Sequence, residues 1–137
     1  KLLATVPYTP VKGIWDETKA DFLDHGESRT QGKIYGVVLA EPNFAWEDFV
    51  DKDGVTRTYA CVDVLVYTEI YPEAKYIVGK SLSMELLPKT IKGKWEEIDG
   101  TQVFVFSEAS FAGLQALGDD VEPCFEGAAF FELFNQM

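Results

Sequence analysis

The chain has little histidine and little cysteine, and each shortage limits the catalytic or binding sites that it can form. Among 137 residues there is one histidine, His25, and there are two cysteines. Since imidazole is the one side chain with an unperturbed pKa near neutrality, a neutral-pH proton shuttle would have to use His25. Cys61 lies in a strand-like run and Cys124 in a turn-rich segment, so they form neither a disulfide framework nor a metal-ligand spacing. We therefore expect a reducing, intracellular setting.

Basic side chains and long apolar runs are also scarce. Twelve Lys and Arg residues stand against 23 Asp and Glu, which gives a formal net charge of −11. Such a field repels phosphate backbones and anionic membrane surfaces, so we expect neither nucleic acid nor membrane as a partner. No apolar run approaches the length of a membrane span. The length and the 47% hydrophobic content predict one compact domain over residues 1–137.

Most of the sequence has the composition of β-strands. Residues 56–67 are rich in β-branched and aromatic side chains and predict a central strand, and residues 32–40 predict another. Asp99-Gly100 favours a type I′ turn between strands at 94–98 and 101–106, because both turn positions need positive φ.

Three shorter segments complete the predicted fold. Asp53-Gly54 indicates a second hairpin ahead of the long strand. Residues 72–78 predict a helix that begins at Pro72 and ends at Gly79, and residues 16–23 predict another short helix. The fold class is therefore mainly β with short helices (α+β), built as an antiparallel sheet or a partly closed β-barrel.

Strand periodicity selects two residues that could work with His25. In residues 80–86, alternation places Ser81, Ser83 and Glu85 on the more polar face, where the Ser83 hydroxyl can be presented to a cleft. In residues 101–109, Glu108 shares a face with Phe104 and Phe106, so we expect a partly desolvated carboxylate that needs a partner such as an imidazole N–H. Serine, histidine and a carboxylate are the parts of a nucleophilic triad.

The segments around these residues resemble a known family. Ser83-Met84-Glu85-Leu86, FSEASFAGL at 106–114 and LGDDVEPCFEGA at 117–128 look like the tailed-phage prohead maturation proteases, serine peptidases similar in fold to the herpesvirus assemblins. Upstream, DFLDHGE at 21–27 resembles the histidine segment of that family, and Gly36-Val37-Val38 resembles the strand after it.

The resemblance implies a role for each candidate. His25 would be the general base, Ser83 the nucleophile and Glu108 the acid that orients the imidazole. This chain has Glu108-Ala109-Ser110 where many prohead proteases have Glu-Val-Ser followed by Pro-Ala-Asn, so Asp63 or Glu85 could be the acid instead. Ser81 competes with Ser83 on the same strand face, and the family motif selects Ser83.

The predicted function is a phage prohead maturation serine endopeptidase. It would cleave scaffold protein and major capsid protein in the host cell cytoplasm, inside the assembling procapsid. The chain could be a domain excised from a longer protease–scaffold chain, and it could form a homo-oligomer. The acidic residues near His25 lack a recognisable ligand pattern, so no metal is expected. The protease resemblance implies no cofactor.

Two other functions fit the same residues. A non-catalytic capsid-assembly module that binds scaffold would keep the fold without the chemistry. A barrel that binds a small ligand would show an enclosed apolar cavity rather than an open groove.

Overall fold

The computed structural model describes residues 2–24, 32–51, 53–123 and 127–131. Strands contain 49% of the described residues and helical turns contain 11%, which confirms the mainly-β class. The strands of the described residues are β1 (Pro10–Gly13), β2 (Trp15–Asp16), β3 (Asp21–Phe22), β4 (Lys33–Val38), β5 (Ala45–Val50), β6 (Thr56–Cys61), β7 (Val64–Val66), β8 (Ser81–Leu86), β9 (Lys92–Ile98), β10 (Thr101–Glu108) and β11 (Phe111–Leu117). Short 3₁₀ helices cover Leu2–Thr5, Pro72–Ile77 and Pro88–Thr90.

Five of these strands form a central sheet in the order β7-β4-β1-β11-β8. The pairs β1–β4, β4–β7 and β8–β11 are antiparallel, whereas β1 and β11 run parallel, with Val11 opposite Leu114. The sheet is open and mixed, so the expectation of a purely antiparallel sheet is corrected by this one parallel pair. Strand periodicity predicts that Val62–Val66 and Ser83 belong to one sheet. This is confirmed for Val64–Val66, because β7 and β8 are the two edge strands of the central sheet, whereas Val62 lies in neither β6 nor β7.

The long strand predicted at 56–67 is wrong in its extent and place. The chain pairs with β5 as β6 and with β4 as β7, so one continuous run serves two sheets. The change of partner falls at Asp63, whose N–H donates to the carbonyl of Pro42 and whose carbonyl accepts from Leu39. The run is therefore an outer hairpin strand followed by a short edge strand, and it contains no central strand.

Both predicted hairpins are confirmed. β9 and β10 pair antiparallel with Ile98 opposite Thr101, and Asp99 and Gly100 have φ of 50° and 80°, as a type I′ turn requires. β5 and β6 pair around the Asp53-Gly54 loop, in which Gly54 has φ of 78°. Local turn chemistry is enough to fix both connections.

One of the two predicted helices forms. Residues Pro72–Ile77 make a 3₁₀ helix with Pro72 in its first turn, and Gly79 after it has φ of 84°. The helix predicted at 16–23 is wrong, because β2 and β3 form a tight hairpin there. Oδ1 of Asp16 accepts the N–H groups of Thr18 and Lys19, and this turn competes with helical hydrogen bonding.

The core lies on one face of the central sheet. Its largest fully buried side chains include Tyr35, Phe22 and Ile77, and a second cluster around Val38 joins it through the partly buried Val64 and Leu82. Within the described ranges no helix is both long and apolar enough to cross a membrane.

Candidate functional site

Ser83 is buried in the middle of β8. It pairs with Gln115 of β11, and the two residues are 5% and 2% exposed. Leu82 packs into the core on the other face, so the sheet is covered on both faces at this position. The expectation that Ser83 is presented to a cleft is therefore wrong, because Ser83 and its neighbour Gln115 are both buried on the face that alternation predicted to be open. Its role as nucleophile stays a prediction, since His25 lies outside the described residues.

Glu85, an alternative acid, already has a cationic partner. The ammonium of Lys12 lies 2.8 Å from Oε1 of Glu85, and both side chains are mostly buried. The two residues reach each other over Gly113, where an added Cβ would come within 2.7 Å of Lys12 and 2.9 Å of Glu85. A glycine in β11 thus makes room for an ion pair on the same sheet face as Ser83.

The other two candidate acids lie on outer parts of the fold. Glu108 ends β10 with 47% of its side chain exposed, and Lys92 lies 3.4 Å from its carboxylate. A partly desolvated Glu108 beside aromatic rings was the expectation. The structure instead classes Glu108 as exposed, in a hairpin that does not pair with the central sheet. Asp63 is exposed and accepts a 2.8 Å hydrogen bond from Asn43. Which acid would face His25 stays a prediction.

The acidic segment before His25 also forms an ion pair. Lys80 contacts both Asp21, at 2.9 Å, and Asp119, at 3.1 Å. Burial alone would raise the pKa of Asp21, but the hydrogen bonds from Lys80 and from backbone N–H groups hold this pKa below its usual value. In the part of the chain that the structure describes, no cluster of His, Cys, Asp and Glu could hold a metal ion.

One concave feature of the described residues is a groove of about 710 Å³. Residues 59–70 form one side of it and residues 127–131 the other, while its floor includes Leu82 and Leu114 of the core face. Because Ser83 points to the opposite face of β8, the groove and the predicted nucleophile lie on different sides of the sheet.

The two walls of the groove lie at the two ends of the central sheet. The carbonyl of Ala128 accepts from Leu82, and Phe130 exchanges hydrogen bonds with Lys80 and Gly79, so residues 128–130 cover the outer edge of β8. The opposite wall contains β7 at the other end of the sheet. Among the described residues no strand pairing joins the two ends, and the groove separates them.

The outer edge of β7 presents backbone groups to this groove. Tyr67 donates to the carbonyl of Tyr35 and Leu39 to that of Asp63, so these residues face β4. Bonded and non-bonded pairs alternate along an antiparallel ladder, so the N–H groups of Val64 and Val66 point away from β4. Neither N–H group donates a backbone hydrogen bond to another described residue.

All the charged residues among the described lining of the groove are acidic. Asp63 and Glu69 contribute carboxylates to its wall, and none of the described lining residues is basic. The remaining walls are largely apolar, with Phe49, Phe130 and Phe131 at the side of the C-terminal segment. The groove suits an occupant that is apolar and carries positive charge.

The sequence did not predict the polar cluster around the buried Glu73. Oε2 of Glu73 accepts from the hydroxyl of Tyr35 at 2.8 Å and from Lys33 at 2.9 Å. The hydrogen bond from Lys33 is the main cause that lowers the pKa of Glu73 and raises that of Lys33. Burial, then the bond to Glu73, raises the pKa of Tyr35 far above its usual value. The two-residue spacing of Lys33 and Tyr35 could have indicated this cluster, since it places both side chains on one strand face.

Comparison with known proteins adds the family. Residues 1–136 match the family described as the YonD N-terminal domain. The chain belongs to this family. It is a phage-related family, which agrees with the phage setting expected from the sequence, while the closer resemblance to prohead proteases stays a prediction. No curated protein and no solved structure matches the chain.

Proposed function

We propose that this chain is a protein-binding module of a phage protein, and that its groove takes an extended segment of a partner. The observation that carries the proposal is the outward-facing edge of β7 along the wall of an apolar groove. An extended peptide can add to such an edge through main-chain hydrogen bonds, while alternate side chains enter the groove. The occupied edge would extend the central sheet by one strand.

The charge of the groove defines the chemistry of the segment. Asp63 and Glu69 line the groove, and the whole chain has a formal net charge of −11. A segment with alternating apolar and basic residues would match both the walls and the carboxylates. In a phage setting, a basic stretch of a scaffold protein is the partner we propose.

A serine endopeptidase is the competing proposal, and it needs more rearrangement. Its nucleophile, Ser83, is 5% exposed and faces away from the groove. Its preferred acid, Glu108, contacts Lys92 on a separate hairpin. Binding in the groove requires none of these groups to move, so the described geometry favours the binding module.

Synthetic peptides test the binding proposal. The probe is a short peptide that alternates valine with lysine, compared with the same peptide carrying glutamate in place of lysine. We expect the lysine peptide to bind about ten-fold more tightly by calorimetry, a difference of roughly 1.4 kcal/mol. A lysine peptide N-methylated at every second residue keeps its side chains but loses alternate donors, and it should bind poorly if it pairs with the edge of β7.

Alkylation of Cys61 tests whether the peptide binds in the groove. Cys61 lines the groove, so in a Cys124→Ser background the bound peptide should protect it from alkylation. Burial and then the hydrogen bond with Glu47 raise the pKa of Cys61, so the reaction is run at alkaline pH. The double variant Asp63→Asn/Glu69→Gln should lose the preference for lysine, whereas Glu17→Gln, in an exposed turn, should keep it. Equal binding of all peptides, or unchanged Cys61 reactivity, would contradict the proposal.

A further inference from the structure

The β9–β10 hairpin, residues Lys92–Glu108, forms an arm with an exposed edge and exposed aromatic rings. In the described structure β9 and β10 pair only with each other. Trp95 is 68% exposed and packs edge-on against Phe104, at 5.5 Å between ring centroids. A two-stranded hairpin is only marginally stable by itself in water. An arm of this kind gains stability when a further strand covers its edge.

The turn determines which backbone groups face outward. Ile98 and Thr101 flank a two-residue type I′ turn, so they form a hydrogen-bonded pair. Bonded pairs recur at every second residue, which places the backbone groups of Glu96 and Lys94 toward β10. The N–H and carbonyl groups of Gly93, Trp95 and Glu97 therefore point away from β10, along the free side of β9.

We propose that β9 pairs antiparallel with β9 of a second copy of this chain, about a two-fold axis at Trp95. Each Trp95 then lies opposite the other and Gly93 opposite Glu97, so all six outward residues exchange backbone hydrogen bonds. The two arms become one four-stranded sheet. A two-fold interface of this kind is closed and uses the same surface on both copies.

The charge pattern of β9 is self-complementary in this register. Lys94 lies opposite Glu96 of the second copy, and this pair occurs twice. Both are non-hydrogen-bonded pairs, in which facing Cα atoms are about 4.5 Å apart and side chains meet closely. An axis at Gly93 would instead place Lys92 opposite Lys94, and an axis at Glu97 would place that carboxylate opposite itself. Like charges directly opposite each other are destabilising, which favours the axis at Trp95.

A charge exchange tests the register. Lys94→Glu places two carboxylates opposite each other in each cross-strand pair of its homodimer, and Glu96→Lys places two ammonium groups there. We expect each variant to self-associate at least about ten-fold more weakly than the wild type, measured by sedimentation equilibrium at about 0.15 M salt, where the Debye length is about 8 Å. An equimolar mixture of the two variants should regain dimers, since each copy then supplies the charge that the other lacks.

A cysteine cross-link gives an independent measurement. In a Cys61→Ser/Cys124→Ser background, Trp95→Cys should form a disulfide between copies under mild oxidation, because hydrogen-bonded partners have Cα atoms about 5.5 Å apart. Lys92→Cys is the matched control, since its two copies would lie roughly 20 Å apart along the strands. A monomeric wild type, dimers of equal strength in wild type and both charge variants, or equal cross-linking at both positions would each overturn the proposal.

Discussion

The hydroxyl of Tyr35 donates a 2.8 Å hydrogen bond to the carboxylate of Glu73. Tyr35 is fully buried in β4 and Glu73 lies in the first turn of the 3₁₀ helix Pro72–Ile77, so the bond fastens that helix to the central sheet. Lys33 approaches the same carboxylate oxygen from two residues away on β4. The segment that leads from β7 into β8 is thereby held over the core, together with Ile77 and Val78, which line the groove.

We predict that Glu73→Leu destabilises the chain more than Tyr35→Phe does. The leucine leaves the Tyr35 hydroxyl buried without its acceptor, at a cost of about 1–3 kcal/mol, whereas the phenylalanine removes the donor and costs about 1 kcal/mol. The double variant should lose less than the sum, because the orphaned hydroxyl is then absent. Urea unfolding of the four proteins measures the coupling, and strict additivity would contradict the shared hydrogen bond.

Stability should fall in acid through Glu73. Its pKa in the folded chain is lowered from 4.5, mainly by the hydrogen bond from Lys33. A lowered folded pKa adds stability that is present above the unfolded value and is lost as pH falls through the folded value. Below about pH 4.5 the free energy of unfolding of the wild type should therefore decrease more steeply than that of Glu73→Gln. If the free energy of unfolding decreased equally in both proteins as the pH falls, folding would not lower the pKa of Glu73.

Two glycine substitutions should differ sharply in how much they destabilise the fold. Gly113→Ala places its methyl group against the side chains of Lys12 and Glu85, which can swing away, so the loss should be limited to their ion pair, up to about 1 kcal/mol. Gly36→Ala meets the backbone carbonyl of Leu65 in the neighbouring strand, which cannot move alone. We expect a loss of about 3 kcal/mol there, the upper range for overpacking. Thermal unfolding compares them, and equal losses would contradict the distinction.

The peptidase proposal predicts that Ser83→Ala abolishes scaffold cleavage. Losing a triad nucleophile typically lowers turnover about a million-fold. Ser81→Ala is the matched control, because Ser81 lies two residues, roughly 6.6 Å, along the same strand. Cleavage should also fall as pH drops, since a protonated His25 cannot accept the serine proton.

Gel analysis of a co-expressed scaffold, with circular dichroism to confirm folding, separates the outcomes. Equal cleavage by wild type and Ser83→Ala would eliminate the serine mechanism. No cleavage by any of the three proteins would agree with the binding module, whose peptide measurements do not depend on Ser83.

Local structure could be predicted from short segments of the sequence. The Asp99-Gly100 turn could be predicted because two adjacent positions needed positive φ, and the helix at Pro72 because proline suits a first turn. The strands at 33–38 and 81–86 followed from composition and alternation. Each of these features depends on neighbours within a few residues, so a short segment contains the necessary information.

Which face of each strand becomes buried depended on how the strands pack together. Alternation placed Ser83 on a polar face, yet pairing with Gln115 and a covered second face bury it. Likewise, nothing local distinguished Glu108 beside aromatic residues in a core from Glu108 on an exposed arm. The groove and the Tyr35–Glu73 bond join residues far apart in the chain, and burial depends on which strands become neighbours. That choice is made by the free energy of the whole packed sheet, because no single segment can bury its own faces.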